Sequence, residues 1–191
     1  MSNRREQIVA AAAQIAAQSG TAALSVRAVA QKAGVGVGTL RHYFPSQKDL
    51  YSEVLDRIFD AQLDDLNIDD GTTSPARRLA ECMRQFLPAE DGRISELEGW
   101  LALYTSALGR DRTDAGARLL TAFNQRARTR VDRWLSTLHT DRTRRSQHVV
   151  LLLALVDGLC LELLTPETQL TVQDARETLD EVISCVVIPS S

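Results

Sequence analysis

A segment between residues 36 and 48, with one arginine upstream, carries the residue types that contact duplex DNA. Arginine and lysine pair with phosphates or guanine edges, and the methyl groups of valine and threonine contact thymine. Two glycines in the segment are poor helix formers, and a close approach of their backbone to a phosphate or a base would explain them; a weakly formed turn is the alternative. The candidate DNA-binding residues are Arg27, Gly36, Val37, Gly38, Thr39, Arg41, His42, Tyr43 and Lys48.

These candidates divide into two roles. Arg27 and Lys48 are expected to hold phosphates, which carry no sequence information, whereas Val37, Thr39 and Arg41 are expected to read base edges. His42 is expected to contact a phosphate or to lie on the surface. Tyr43 either reaches a backbone oxygen or packs half-buried against Leu50.

Aromatic residues in the middle of the chain form a second chemically distinctive group. Small-molecule sites are mostly apolar with a few polar groups, and three of the larger rings, Trp100, Tyr104 and Trp134, are expected to converge on one cavity. A plain core or surface role remains open for each candidate. The candidate effector contacts are Phe86, Trp100, Tyr104, Phe123, Trp134 and His148, with Glu96, Asn124 and Asp157 as possible further polar contributors.

No arrangement of residues in the sequence predicts catalysis. The three histidines are far apart, and none has the spacing of a helical metal site. The GVGVG cluster lacks the GK[ST] of a phosphate-binding loop and follows a helix rather than a strand. The cysteines, Cys82, Cys160 and Cys185, have no CxxC spacing and are expected to be buried free thiols. We therefore expect no metal, no cofactor and no enzyme activity.

A helix-turn-helix is predicted to position the DNA-binding candidates. Ser25 precedes the helical run VRAVAQK as its N-cap, and the small side chain of Ala30 permits close helix packing. Gly34 allows the positive φ of a tight turn, and Pro45 ends the second helix. The second helix of such a motif enters the major groove of DNA.

Helical periodicity covers most of the chain, so the sequence predicts an all-α fold. We expect a DNA-binding domain of three helices over residues 1–47 and a helical domain for effector binding and dimerisation over residues 48–191. Helices are predicted near 3–19, 25–32, 36–43, 46–67, 75–88, 93–109, 114–140, 142–165 and 171–187.

The last two helices are predicted to form a homodimer. The run HVVLLLALVDGLCLELL is apolar around most of its circumference, and the final helix carries an apolar stripe. A single chain would have to cover both surfaces, and the simplest cover is the same pair of helices from a second subunit. The alternative is that both helices only close the core of one chain.

Residues 5–55 resemble the N-terminal domain of TetR-type transcriptional repressors, on the run LSVRAVAQKAGVGVGTLRHYFPSQKDL. The HYF triplet and the segment LLLALVDGLCLELL are similar to the BetI-like branch. The resemblance implies a C-terminal domain that binds a ligand and dimerises, and the branch suggests a choline-type cation. The family often has tyrosine in place of Arg41 and lysine in place of Gln47; Lys48 is expected to replace that phosphate contact.

The charge distribution agrees with a DNA partner. Residues 1–51 contain six Lys and Arg against two Asp and Glu, a net charge of +4 within a chain of −3, so the remaining residues carry −7. A basic N-terminal segment followed by an acidic remainder is typical of a modular DNA-binding protein. The N-terminus lacks the apolar region of a signal peptide, and the apolar stretch 149–156 is short for a bilayer, which indicates a cytoplasmic protein without a membrane partner.

Together these features predict a ligand-responsive transcriptional repressor that binds a palindromic operator as a dimer and is released by a small-molecule effector. Repression and activation are not distinguished by the residues. A helical small-molecule carrier or interaction module that does not bind DNA is the alternative.

Overall fold

The helices confirm the all-α fold class. The computed structural model describes residues 4–19, 25–46, 49–50, 53–54, 57, 63–110, 112–138 and 142–187, and no β-strand occurs within these ranges. Two 3-10 segments, Arg84–Phe86 and Asp91–Glu96, precede the fifth helix. The α-helices are α1 (Arg4–Ser19), α2 (Val26–Lys32), α3 (Val37–Tyr43), α4 (Pro75–Met83), α5 (Leu97–Ala107), α6 (Asp114–Thr137), α7 (Arg142–Leu163) and α8 (Val172–Val186).

The chain divides into two compact units, residues 1–62 and 63–191. The predicted boundary between residues 47 and 48 falls inside the first unit. Leu50 and Val54 are buried in the same apolar core as the side chains of α1, α2 and α3. Burying such a side chain contributes about 1.5–3 kcal/mol, so the segment that follows α3 helps to stabilise the N-terminal unit.

The core of the first unit is small and made from one face of each helix. Ile8 and Ala12 of α1 are fully buried, as are Val29 of α2 and Leu40 of α3. Phe44, directly after α3, completes the core. Each short helix is thereby held by one or two apolar side chains, which leaves its other faces free for solvent or a partner.

The second unit buries a larger apolar core between five helices. Helix α6 packs against α4, α5 and α7, and α8 packs against α4 and α7. Trp134 and Leu135 of α6, Leu152 of α7, and Leu179 and Ile183 of α8 are fully buried at its centre. This core fixes the relative positions of α5, α6 and α7, which carry the candidate effector residues.

The expectation that α8 needs a second subunit to cover its apolar stripe is wrong. Val172, Ala175, Leu179 and Ile183 are already buried within the unit, because α8 packs against α4 and α7. Helix α7 differs, since Val150, Leu151 and Leu161 remain 47–49% exposed. Of the last two helices, α7 is therefore the one that leaves large apolar side chains exposed.

Helix α7 is also, among the described helices, the one long and apolar enough to cross a bilayer by length and composition. The whole helix has 22 residues, longer than the apolar stretch 149–156 that the sequence suggested was short for a bilayer. Six of its side chains, from Val149 to Leu163, are buried in the core of the second unit. Core helices with this much apolar surface meet the same criterion.

The helix predicted over residues 46–67 ends earlier, because residues 63–65 are not helical. Asp65 there accepts hydrogen bonds from Trp134 Nε1 at 2.7 Å and from Arg133 at 2.6 Å. Arg130 donates to the Leu63 carbonyl at 2.7 Å. These side-chain bonds fix the non-helical segment to α6. The predicted loop over residues 67–75 is confirmed, with Ser74 capping α4.

Candidate functional site

The turn between α2 and α3 has the predicted geometry. Ser25 caps α2 by accepting a hydrogen bond from the Ala28 N–H at 3.1 Å. Gly34 has a φ of +63°, a conformation that residues with a Cβ rarely adopt. The Val35 N–H then donates to the Ala30 carbonyl at 2.9 Å and closes the turn. This geometry confirms the helix-turn-helix that the sequence predicted.

Helix α3 buries Leu40, packs Tyr43 partly against the core and exposes its other residues. Leu40 is 1% exposed in the core, whereas Val37 is 37% exposed. Tyr43 is half-buried against the core that contains Leu50, which agrees with the packing alternative for this residue. The remaining DNA-binding candidates among the described residues, all exposed, are Arg27, Gly36, Gly38, Thr39, Arg41 and His42.

No neighbouring atom among the described residues explains the two glycines at the start of α3. A Cβ placed on Gly38 meets nothing within 4 Å, and one placed on Gly36 meets only Thr39 Oγ1 at 3.9 Å. Gly36 is the N-cap of α3 and has an ordinary φ of −70°. Alanine would therefore fit sterically at both positions, which leaves an external contact as the simplest reason for glycine at residue 38.

One basic residue near α3, Arg5, is held by contacts within its own unit. The Arg5 guanidinium forms an ion pair with Glu53 at 2.6 Å and lies 5.3 Å from the centre of the Phe44 ring. Arg5 is therefore engaged within the N-terminal unit. Lys48 lies outside the described residues, and its phosphate contact stays a prediction. Ser46 and Asp49 on either side of it cap each other reciprocally, with the Asp49 N–H donating to Ser46 Oγ at 3.1 Å.

The candidate effector residues form two separate ring pairs. Trp100 and Tyr104 on α5 have ring centroids 4.5 Å apart, and Phe86 and Trp134 have centroids 6.3 Å apart at an edge-on angle. Trp134 is fully buried, and its indole N–H is already bonded to Asp65. The single cluster of three rings expected from the sequence is thus divided, with Trp134 in the core.

The pair on α5 is joined to polar side chains from two other helices. The Tyr104 hydroxyl donates to Asp157 Oδ2 on α7 at 2.9 Å and is hydrogen-bonded to Asn124 on α6. Asp157 lies 53 residues after Tyr104, so no local spacing in the sequence could have predicted this pair. The structure brings together a tyrosine, a carboxylate and an amide beside a tryptophan ring.

Burial controls the ionisation of this group. It raises the pKa of the Asp157 carboxyl, although the hydrogen bond from Tyr104 and the charge of Arg128 oppose that effect. Burial, followed by the negative charge of Asp157, also raises the pKa of Tyr104. Within the described part of the chain, the second carboxylate oxygen of Asp157 accepts no hydrogen bond. A half-buried carboxylate with a free oxygen is suited to receive a cation or a hydrogen-bond donor.

The other effector candidates have different surroundings. His148 precedes Asp157 by nine residues, which is two and a half turns of α7, so the two side chains leave opposite sides of the helix. The Nδ1 atom of His148 is buried without a hydrogen-bond partner among the described residues. Glu96 is exposed and pairs with Arg93. Phe123 is half-buried on α6. The effector roles of Phe86, Phe123, Trp134 and His148 stay predictions.

In the regions that the structure covers, no group of three or more His, Cys, Asp or Glu side chains is placed to hold a metal ion. Cys82 and Cys160 are buried, and burial raises the pKa of each thiol to about 12. Cys185 is exposed, so the expectation that all three thiols are buried is wrong at this position.

Comparison with known proteins matches both units. A sequence model of the bacterial regulatory proteins of the TetR family matches residues 8–54, and one of the C-terminal part of BetI-type transcriptional repressors matches residues 75–186. The second match spans more than half of the chain. The chain belongs to the TetR family of transcriptional regulators. The first match contains the helix-turn-helix, and the second contains the Trp100, Tyr104, Asn124 and Asp157 group.

Individual relatives of this TetR-family chain are also regulators. It is 31% identical to the transcriptional repressor KstR of Rhodococcus jostii (strain RHA1) over 75% of this chain and 74% of that protein. It is 31% identical to the transcriptional regulator PksA of Bacillus subtilis (strain 168) over 52% of this chain, and there it spans only 49% of the relative's length. The crystal structure of the multidrug binding protein EbrR with proflavin has a TM-score of 0.58 and 26% identity, over 94% of this chain and 99% of that chain.

Proposed function

We propose that this TetR-family regulator is a cytoplasmic, dimeric repressor that binds a palindromic operator and is released when a small-molecule effector binds the C-terminal unit. The observation that carries the proposal is the surface of α3. This helix is fixed to its unit by Leu40 and presents Val37, Thr39 and Arg41 outward, beyond a glycine turn of helix-turn-helix geometry. The relatives are transcriptional regulators, not enzymes.

The exposed residues suggest separate tasks on DNA. Arg41 has the donor geometry for a guanine edge, and the methyl groups of Val37 and Thr39 suit thymine. Arg27 and Lys48 hold phosphates, and His42 approaches the sugar-phosphate backbone. Gly36 and Gly38 let the start of α3 lie close to the groove, since no neighbour that the structure describes requires either glycine.

A dimer provides the symmetry for a palindromic operator. Val150, Leu151 and Leu161 leave apolar area exposed on α7, and a second subunit is the simplest cover for such a surface. Helix α8 lies beside α7 and would complete a four-helix interface. Two recognition helices related by the dimer axis would read half-sites about 34–36 Å apart, or a multiple of that distance.

The effector site is proposed at Trp100, Tyr104, Asn124 and Asp157, and its chemistry favours an organic cation. A cation near the faces of two aromatic rings and a carboxylate is attracted by both. EbrR, which shares this fold at 26% identity, binds proflavin, a dye that is positively charged at neutral pH. An effector changes DNA affinity only through a difference in its own affinity for the two conformations of the regulator.

A gel-shift titration on the DNA upstream of the gene, at several salt concentrations, tests the proposal. Arg41→Ala should weaken binding by about 1–3 kcal/mol and relax the preference at one base pair. Arg118→Ala is the matched control, since Arg118 is an exposed arginine on α6 and its removal changes the net charge equally. Equal loss with both variants, or no loss with either, would remove α3 as the reading helix. Ligand binding without any DNA binding would favour the carrier module instead.

A further inference from the structure

The exposed apolar residues of α7 form one continuous face. Val150, Ala154, Gly158 and Leu161 follow one another at intervals of three or four residues, and Leu151 borders the same face. The larger side chains stand near the two ends, and the small residues Ala154 and Gly158 lie between them. A Cβ placed on Gly158 meets nothing within 4 Å of this chain. The middle of the face therefore permits a close approach by another helix.

Charges are distributed unevenly along the same helix. Arg142, Arg144 and Arg145 lie in the first turn, which contains no acidic residue, and Glu162 lies near the opposite end. Cations at a helix N-terminus are unfavourable, because the N-terminal end of the helix dipole is itself positive. Among the described residues Arg144 forms no ion pair, and the Glu162 carboxylate accepts one hydrogen bond, from Thr168 Oγ1 at 3.2 Å. Both side chains are exposed.

Arg144 and Glu162 lie on the same side of α7. They are 18 residues apart, which is five complete turns of an α-helix and about 27 Å along its axis. Their midpoint is residue 153, next to Ala154. A positive charge, Arg144, thus flanks one end of the apolar face, and a negative charge, Glu162, flanks the other end. Both lie at nearly equal distances from the small residues in its middle.

We propose that the second copy of this chain covers the face with its own α7 in antiparallel orientation, and that Arg144 of each subunit pairs with Glu162 of the partner subunit. A two-fold axis near Ala154 places opposite charges together at both ends of the contact and small residues at the crossing. A parallel arrangement would bring arginines against arginines. This inference rests on the proposed dimer and specifies its orientation and register.

Charge reversal tests the pairing without DNA. Arg144→Glu and Glu162→Arg should each weaken the dimer at least tenfold, measured by analytical ultracentrifugation over a range of concentrations, because each creates two like-charge contacts. A mixture of the two variants should form a heterodimer, and the double variant Arg144→Glu/Glu162→Arg should recover the homodimer. Circular dichroism establishes that every variant is folded.

Arg142→Glu provides the matched control, since it makes the same charge change in the same turn on a different side of α7. Its dimer should stay within about twofold of the wild type in affinity, about 0.4 kcal/mol. The pairing is overturned if both single variants dimerise as tightly as the wild type, or if the mixture of the two fails to associate. Neither result would contradict operator binding by the wild type. A wild type that stays monomeric throughout overturns the dimer itself.

Discussion

Two aspartates of the C-terminal unit bind aromatic side chains but differ in their ionisation. Burial raises the pKa of Asp65, yet the hydrogen bonds from Arg133 and Trp134 together outweigh it and the pKa is lowered. Burial prevails at Asp157, and its pKa is raised. Asp65 therefore has cationic and indole donors around it and acts as a structural anion. Among the described residues, Asp157 accepts a hydrogen bond from the Tyr104 hydroxyl alone and keeps one oxygen available.

Asp65→Ala should destabilise the second unit by about 1–3 kcal/mol, because it leaves the buried indole N–H of Trp134 without an acceptor. Urea denaturation measures the effect, and Asp69→Ala at an exposed nearby position is the control. Since the pKa of Asp65 is lowered in the folded state, its contribution is present above pH 3.8 and is lost as the pH falls through that lower pKa. A loss no larger than that of Asp69→Ala would contradict the anchoring role.

Asp157→Asn should weaken proflavin binding at least tenfold, about 1.4 kcal/mol, while still accepting the hydrogen bond from Tyr104. Fluorescence titration measures it, with the exposed Asp132→Asn on α6 as the control. Only the ionised carboxylate attracts a cation, so wild-type affinity should fall as the pH falls through the raised pKa of Asp157. Unchanged affinity in Asp157→Asn would exclude this carboxylate as the cation partner.

At the scale of elements, the sequence predicted the ends of short helices, because these depend on interactions between residues close together in the chain. Ser25, Gly34 and Pro45 mark the ends of α2 and α3 through capping, a positive φ and the restriction that proline places on the residue before it, all of which act within a few residues. The burial of α8 was misjudged, because an apolar stripe does not reveal which neighbour covers it. The pairing of Tyr104 with Asp157 was likewise inaccessible, since it depends on how α5 and α7 pack.

Gly38→Ala should change the stability and the DNA affinity of the N-terminal unit in opposite directions. Alanine stabilises a helical position by up to about 1 kcal/mol relative to glycine, and the space around residue 38 is open. The added methyl group should nevertheless weaken operator binding if the backbone of α3 approaches DNA closely. Thermal unfolding and gel shift are the measurements. Gly99→Ala, an equally open helical position in α5, should gain stability without losing DNA binding.

At the scale of the whole molecule, the basic charge is concentrated in the first 51 residues, with a net +4 against −7 for the rest. Arg5 is engaged with Glu53 and Phe44, so the charge available to phosphates is smaller than the count suggests. The sequence gives the uneven distribution of charge between the two parts of the chain directly. It did not distinguish an arginine that packs within its unit from the exposed Arg27 and Arg41.

Arg27→Gln should weaken binding to all DNA sequences alike and reduce the slope of log K against log salt by about 0.9 for each lost phosphate contact. A dimer loses one contact per subunit, so the slope should fall by about twice that amount. Titrations at four or more salt concentrations, on operator and on unrelated DNA, provide the comparison. A loss confined to the operator would move Arg27 to the base-reading group.

Because the three thiols differ in exposure, a maleimide dye should label the wild-type chain selectively at Cys185. Cys82 and Cys160 stay protonated at neutral pH because their pKa values are about 12, and both are buried. Cys185, near the end of α8, is exposed and should react first. A single fluorophore can thus be attached to each wild-type chain without engineering a cysteine, and energy transfer between labelled chains tests for subunit exchange in the proposed dimer.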